Sequence, residues 1–171
     1  ARYVYLDGSF YWIGAESRRD WPLTAVCTVT QPVVTGERRP RLRLGLAAGD
    51  AAVTVESGAP PPFGVVAATP VAGEEGVESG GGTATRQRDR SRAGGDDAVL
   101  LWTDAYRESD HVATEGRRVR RVQSVALGTE LAPGERLTRT YTPVGDLPVG
   151  EYVVADGVGV STGGENGSLQ Y

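Results

Sequence analysis

Side chains that could support acid–base, nucleophilic or metal chemistry are few in this chain of 171 residues. His111 is the only histidine and Cys27 is the only cysteine. A serine or cysteine nucleophile needs a base beside it, and the one histidine lies in a predicted polar loop. One cysteine and one histidine also cannot supply the usual four ligands of a structural zinc ion. We therefore expect no catalytic residue and no zinc centre.

Acidic and glycine-rich runs are the remaining candidates for metal or phosphate binding. The carboxylates that could contribute to a calcium site are Asp96 with Asp97, Glu74 with Glu75, and Asp104 with Glu108 and Asp110. None has the spacing of a recognised calcium loop, so solvated acidic loops are the favoured interpretation. The glycines at 80–82 and 94–95 are not followed by a lysine and a helix, as a phosphate-binding loop requires. We expect no metal ion and no cofactor.

All 18 basic residues are arginines, and the formal net charge is −4. This balance argues against a globally basic nucleic-acid-binding protein. Arg86, Arg88, Arg90 and Arg92 alternate within a polar stretch and could grip phosphates or an acidic polymer. A solvated tract is the favoured interpretation, because nearby aspartates offset the charge and no aromatic residue accompanies the arginines.

Asn166-Gly167-Ser168 matches the acceptor pattern for N-linked glycosylation, and Asn166 is the only asparagine in the chain. We predict a glycan at Asn166. The chain begins at Ala1 rather than at methionine, which indicates a processed product, an engineered product or a fragment. Removal of a signal peptide is the ordinary cause among exported proteins, so we expect an extracellular or cell-surface location. No apolar run approaches the roughly 18 residues needed to span a bilayer, and we expect no membrane span.

Apolar and polar residues alternate along several stretches of the chain, and this alternation predicts β-strands. The stretch Leu131 to Val154 shows the pattern most clearly: Pro133-Gly134 forms a turn, a strand follows from Leu137 to Thr142, and Glu151 to Val154 returns after a second turn. In the first strand Leu137 and Tyr141 are expected to face inward, together with Arg139. The arginine either lays its stem along apolar surface with the guanidinium in water, or marks a β-bulge that shifts the register.

Further alternating runs precede and follow this pair of strands. Predicted strands cover 23–30, 41–46, 51–56, 63–68, 99–102, 119–127 and 168–171, with Cys27 expected to be a buried thiol. Residues 104–116 are predicted to be a polar loop, and the glycines between 157 and 164 are expected to loosen the end of the chain. No segment has the period of a long helix. The pattern predicts an all-β, immunoglobulin-like antiparallel sandwich of seven to nine strands.

Residues 1–20 form a predicted N-terminal aromatic hairpin or arm. Two aromatic and β-branched runs flank Asp7-Gly8, the dipeptide typical of a type I′ turn, which predicts a hairpin from Tyr3 to Leu6 and Ser9 to Ile13. This much apolar surface either packs on its own domain or contacts a partner. The candidate contact residues are Tyr3, Tyr5, Phe10, Tyr11, Trp12 and, at the open C-terminal edge, Tyr171.

One sandwich domain is expected over 21–171, because the length suits a single core. Within it, residues 70–98 are glycine-rich, charged and nearly free of large apolar side chains. Such a stretch cannot bury enough apolar surface to stabilise one conformation, so it is predicted to be a long flexible loop.

The motifs PRLRLGLAAGD, SGAPPPFGVV, VLLW, LAPGERLTRTY and LPVGEYVV occur between residues 40 and 154. In these motifs the chain resembles immunoglobulin-like β-sandwich domains of exported proteins and lipoproteins of halophilic archaea. It is also similar in style to the bacterial intracellular proteinase inhibitor (BsuPI-type) domain. The resemblance implies the same sandwich fold. It implies no inhibitory residues, because no reactive loop matches residue by residue, and the N-terminal hairpin and arginine loop lie outside the pattern.

These features predict a non-enzymatic structural or assembly module that contacts protein subunits, of the same or a different chain. The sharp form of the prediction is strand addition through the aromatic hairpin or the open edge near Ser168 to Tyr171. The first alternative is a protease-inhibitor-like or ligand-binding module that uses the Pro60 to Pro62 loop or the arginine loop. The second is an enzyme built on carboxylates alone.

Overall fold

The computed structural model describes residues 2–6, 9–13, 21–31, 39–71, 98–145, 147–148 and 150–170. In chain order the elements are β1 (Arg2–Leu6), β2 (Ser9–Ile13), β3 (Leu23–Gln31), β4 (Arg41–Ala48), β5 (Val53–Ser57), β6 (Ala67–Pro70), β7 (Val99–Trp102), α1 (Ala105–Glu108), β8 (Val112–Glu115), β9 (Arg118–Val122), β10 (Leu127–Leu131), β11 (Arg136–Pro143), β12 (Gly150–Val153), β13 (Gly157–Thr162) and β14 (Glu165–Gln170). The predicted all-β antiparallel sandwich is confirmed.

Two larger sheets and one hairpin make up the architecture. The eight-stranded sheet has the order β2-β1-β12-β6-β7-β11-β4-β3, the four-stranded sheet has the order β10-β5-β13-β14, and β8 pairs with β9. All described strand pairs are antiparallel. Fourteen strands in the described part exceed the seven to nine predicted, because several segments without clear alternation also pair.

Strand β4 shows how the sequence pattern sets the layers. Leu42, Leu44 and Leu46 are buried, while Arg41 and Arg43 are exposed. A strand places successive side chains on opposite faces, so the three leucines point into the core and the two arginines point to solvent. The alternating strand predicted at 41–46 is confirmed.

The two larger sheets share one hydrophobic core. The eight-stranded sheet contributes the leucines of β4 with Leu101, Tyr141 and Tyr152, and the four-stranded sheet contributes Val53, Val55, Leu131, Val158, Val160 and Leu169. The eight-stranded sheet also curls, because its two terminal strands, β2 and β3, contact each other. The N-terminal hairpin is therefore part of the curled sheet.

Strand β11 bears out the inward position of Arg139. Tyr141 is buried, and Leu137 and Arg139 are half-buried on the same side of the strand. The register with β4 runs without interruption from Arg136 to Tyr141, so no bulge accommodates the arginine. The Nη1 of Arg139 is buried, so, contrary to the first alternative, the guanidinium does not lie fully in water.

Several expectations need correction. Cys27 is half-buried rather than buried, because β3 is the edge strand of its sheet. Residues 104–116 are not a continuous loop but contain α1 and β8. Residues 119–127 do not form one strand, since β9 ends at Val122 and β10 begins at Leu127. The strand expected at 63–68 is confined to Ala67–Pro70.

The glycine-rich segment 157–164 was expected to be loose and is instead ordered. Strand β13 lies between β5 and β14, with Val158 and Val160 buried in the core. A Cβ on Gly159 would lie 3.3 Å from the Cβ of Glu56, so glycine permits this close approach of neighbouring strands. The Asp7-Gly8 turn and most of the predicted flexible loop at 70–98 lie outside the described residues.

Candidate interaction surfaces

Strand β14 forms the edge of the four-stranded sheet. It pairs with β13 along its whole length, from Glu165 opposite Thr162 to Gln170 opposite Gly157. Gly163 and Gly164 connect the two strands with φ of +56° and +87°, as a two-residue type I′ turn requires. In the described part of the chain no strand pairs with the other side of β14. Its outer main-chain groups therefore face away from the sheet.

The composition of β14 leaves this edge unprotected. Leu169 anchors the strand in the core with 4% exposure, and the other residues of β14 are exposed. The strand contains no proline, and its only charge is Glu165 at the first position. Natural edge strands usually carry charges, prolines or bulges that prevent pairing with another chain. Strand β14 has none of these beyond its first residue.

Asn166, the predicted glycan acceptor, lies on this strand. It is exposed, and its Cα is paired with Ser161 of β13. Alternation along the strand directs its side chain away from the core side, on which Leu169 is buried. The structure thus places the acceptor pattern on an accessible face.

The N-terminal hairpin extends the eight-stranded sheet. Tyr3 lies opposite Trp12 of β2 and Tyr152 of β12, and Tyr5 lies opposite Phe10. Tyr11 pairs with Val4 in the same ladder. The backbone hairpin is confirmed. The side chains of these aromatic residues, and Tyr171, lie outside the described residues.

His111 sits immediately before β8. Its Nδ1 lies 2.9 Å from Oε1 of Gln123, across the base of the β8–β9 hairpin. The Gln123 backbone N–H also donates to the His111 carbonyl at 2.9 Å. Within the described residues, no group of three or more histidine, cysteine, aspartate or glutamate side chains could hold a metal ion. The two contacts between His111 and Gln123 join the two ends of the β8–β9 hairpin.

Two buried tyrosines, Tyr106 and Tyr141, form the core tyrosine pair. Their ring centroids are 6.5 Å apart, and both side chains are fully buried. The Tyr106 hydroxyl donates to the Leu101 carbonyl at 2.9 Å and accepts from the Val66 N–H at 3.0 Å. The Tyr141 hydroxyl has no hydrogen-bond partner among the described residues. The two tyrosines therefore lie in the same core, but only the Tyr106 hydroxyl makes hydrogen bonds there.

Burial changes the ionisation of this region. Burial raises the pKa of Tyr106 to about 12, although the hydrogen bond from Val66 opposes the rise. Burial also raises the pKa of Tyr141 above its ordinary range; the neighbouring Tyr106 adds to the rise, and the adjacent Arg139 guanidinium opposes it. The carboxyl of Asp156 accepts from the Gly157 N–H at 2.8 Å, yet burial raises its pKa. All three groups are held toward their neutral forms.

Trp102 lies beneath two arginines at the start of the β8–β9 region. The guanidinium carbons of Arg107 and Arg117 lie 5.2 Å and 5.9 Å from its ring centroid. Its Nε1 donates to the Asp104 carboxylate at 3.3 Å. Trp102 is only 4% exposed, so the cation–π contacts hold α1 and the β8–β9 turn against the sheet rather than present an aromatic surface.

An apolar cleft lies against the eight-stranded sheet. Its cavity volume is about 30 Å³. The lining residues come from six strands and the adjoining loops: Val29, Pro40, Arg41, Leu42, Ala68, Leu101, Pro143, Leu147, Tyr152 and Val154. The chemistry of this lining suits an apolar side chain or ligand.

Sequence reasoning did not identify the packing of Arg107 and Arg117 on Trp102, the cleft or the core tyrosine pair. The cleft and the tyrosine pair depend on residues far apart in the chain that the fold brings together, and the arginine packing depends on the single turn α1, which has no periodic signal. The edge position of β14 had a signal, since Ser168 to Tyr171 has strand character directly after a glycine-rich turn. No helix in the described ranges is long and apolar enough to cross a membrane.

Comparison with known proteins gives no relative. No protein-family model, no curated protein and no solved structure matches the chain.

Proposed function

We propose that this protein is a non-enzymatic, exported or cell-surface assembly module that contacts a neighbouring subunit by strand addition at β14. The observation that supports this most is the six-residue edge of β14, which is paired on one side and carries one charge. An extended strand of another subunit can hydrogen-bond to such an edge through its main chain.

In the simplest case the neighbour is a second copy of the chain. Two β14 strands related by a two-fold axis would pair antiparallel, as isologous contacts require. The four-stranded sheets of the two copies would then form one continuous sheet. No new side-chain pocket is needed, because the main chain supplies the hydrogen bonds.

Between the two surfaces predicted from the sequence, β14 is the better supported. Strand β2 also ends its sheet, but the sheet curls so that β2 contacts β3. This contact occupies part of the space that an added strand needs. The aromatic hairpin therefore serves mainly to complete its own sheet.

Size-exclusion chromatography with multi-angle light scattering tests the assembly. Wild-type protein is expected to associate as its concentration rises. Ser168→Lys places a charge on the exposed edge and is expected to weaken association at least about tenfold. Thr24→Lys, on β3 at the edge of the eight-stranded sheet, makes the same charge change and serves as the matched control. Tyr11→Lys on β2 should leave association unchanged. A wild-type monomer at every concentration would remove the proposal of self-association.

Export and glycosylation are a separate part of the proposal. The support is the acceptor pattern at exposed Asn166. Intact-mass spectrometry of protein from its source organism should show a glycan mass that is lost in Asn166→Gln. An unmodified mass in secreted material would contradict this part alone.

The ligand-binding alternative has one supporting observation, the apolar cleft. A saturable increase in the fluorescence of an apolar dye, abolished by filling the cleft with Ala68→Leu, would favour it. The Pro60 to Pro62 loop gives less support to an inhibitor, because Pro60 and Pro62 are buried and the loop does not protrude as a reactive segment would.

A further inference from the structure

The outer face of β3, β4 and β11 has an unusual composition. Its outward positions, here called the threonine–arginine face, are Thr24, Val26, Thr28, Thr30, Arg41, Arg43, Gly45, Ala47, Arg136, Thr138, Thr140 and Thr142. Among these twelve positions six are threonine, three are arginine and none is acidic or aromatic. In a chain with a net charge of −4, this is a local concentration of positive charge.

The register arranges these side chains in rows across the sheet. Arg43 is paired with Thr28 on one side and with Thr140 on the other. Beside Arg41, the Thr30 hydroxyl donates to the Arg41 carbonyl at 3.3 Å. Threonines therefore lie on both sides of Arg43, and Arg41 follows two residues away on the same strand. Strands are about 4.8 Å apart and residues two apart on a strand are separated by about 6.7 Å, so neighbouring groups lie within reach of one extended ligand.

The guanidinium groups of this face are available for binding. Arg41, Arg43 and Arg136 are exposed and make no ion pair or side-chain hydrogen bond with the described residues. By contrast, Arg120 is paired with Glu115. Two further arginines extend the positive charge: Arg39 donates to the carbonyl of Pro143, and Arg117 donates to the hydroxyl of Thr142.

The chemistry of the face favours an acidic sugar polymer. A guanidinium presents parallel donors that match a carboxylate in a bidentate pair, and threonine hydroxyls can both donate to and accept from sugar hydroxyls. From this match we propose that the threonine–arginine face binds a linear carboxylated polysaccharide. The site is separate from the β14 edge, which belongs to the other sheet.

Size and composition argue against other polyanions. Three strands over seven residues cover about 15 Å by 23 Å, or about 350 Å². This is well below the roughly 800 Å² that each partner buries in a standard protein interface, but it suits a chain lying along the sheet. Single-stranded nucleic acid is bound through aromatic stacking platforms, and the face has none.

Isothermal titration calorimetry of the full chain with polygalacturonate tests the proposal. Saturable binding is expected, weakening as NaCl rises from about 0.05 M to about 0.5 M because exposed charges are screened. Fully methyl-esterified polygalacturonate has the same backbone without the charge and should not bind. Binding of both forms, or of neither, would overturn the proposal.

Variants locate the site. Arg41→Gln with Arg43→Gln should weaken binding about tenfold or more. Arg118→Gln with Arg121→Gln removes the same charge from the exposed face of β9 and should leave affinity within about twofold. An equal loss in both pairs would show that net charge, rather than this face, drives binding, and would contradict the proposal.

A threonine double variant and two further acidic polymers test whether the face binds sugars in particular. Thr28→Val with Thr140→Val removes the hydroxyls beside Arg43 while keeping the β-branched shape. We expect about threefold weaker binding of polygalacturonate and no change for polyglutamate. Polyglutamate or oligothymidylate binding as tightly as polygalacturonate, with the same dependence on Arg41 and Arg43, would refute the assignment to a polysaccharide. Loss of self-association in the arginine variant would refute it as well, by making this face a contact between copies.

Discussion

Replacing Tyr141 with phenylalanine should leave the fold intact and leave its stability unchanged or slightly raised. The Tyr141 hydroxyl is fully buried and has no hydrogen-bond partner among the described residues. Removing a buried hydroxyl without a partner relieves its desolvation cost without losing a hydrogen bond. We expect a change in unfolding free energy between zero and about +1 kcal/mol.

Tyr106 provides the matched comparison in the same core. Its hydroxyl both donates to Leu101 and accepts from Val66, at 2.9 Å and 3.0 Å. Tyr106→Phe removes one oxygen atom, as Tyr141→Phe does, but leaves two buried main-chain groups unpaired. At about 1–3 kcal/mol for each of the two unpaired groups, we expect a loss of about 2–6 kcal/mol. Tyr152→Phe, which loses a bond to the Pro148 carbonyl, should fall between the two at about 1 kcal/mol.

Urea unfolding followed by tryptophan fluorescence measures these differences. With an unchanged slope, a shift in the midpoint reports stability directly. A loss in Tyr141→Phe as large as that in Tyr106→Phe would refute the reasoning, because it would mean that the Tyr141 hydroxyl is hydrogen-bonded. The donor would then be Arg139, whose Nη1 is buried and also without a partner. Arg139→Met, expected here to be neutral or stabilising, would in that event destabilise the protein.

Three further predictions concern the same core and the β13–β14 hairpin. Because burial raises the pKa values of the core tyrosine pair in the folded protein, the unfolded chain loses these two protons first, near pH 10. The free energy of unfolding should therefore fall between about pH 10 and about pH 12, by roughly 1.4 kcal/mol per pH unit for each tyrosine. Urea midpoints measured at increasing pH check this. Burial raises the pKa of Asp156 above 3.8, so its contribution is present below that pH and is lost as pH rises through the folded value. Asp156→Asn, which can still accept from the Gly157 N–H, should raise Tm at pH 7 and leave it unchanged near pH 3; no difference at pH 7 would contradict this. Gly167→Ala would drive a Cβ into the indole of Trp21 and should cost about 1–3 kcal/mol, whereas Gly58→Ala, where nothing lies within 4 Å, should cost less than about 1 kcal/mol.

Strands with strict alternation were predictable from the sequence. In β4 the leucines and arginines alternate without exception from Arg41 to Leu44, and in β11 Tyr141 and the flanking threonines do the same. Local pattern decides such strands, because each side chain meets either core or solvent.

Other elements could not be predicted because their determinants are not local. Helix α1 is a single turn whose only buried residue is Tyr106, too short to show a helical period. Strand β13 is rich in glycine, and its place in the sheet depends on pairing with β5 and β14 on either side. The curl that brings β2 against β3 joins the two ends of an eight-stranded order.

Some of the candidate surfaces were also predictable from local sequence, and others were not. Asn166 and the C-terminal edge could be proposed from a motif and from strand character near the last residues. The threonine–arginine face could not, because Thr28, Arg43 and Thr140 lie on three strands and become neighbours only through the register. The role of the aromatic hairpin residues as contacts stays a prediction.

Hydrogen exchange at low and high protein concentration tests strand addition most directly. The free edge of β14 should exchange quickly in the dilute protein. On association, exchange should slow only at the amides of Glu165–Gln170, and it should not slow in Ser168→Lys. Association that leaves exchange in β14 unchanged, and slows it on another strand instead, would show that the subunits do not pair through β14.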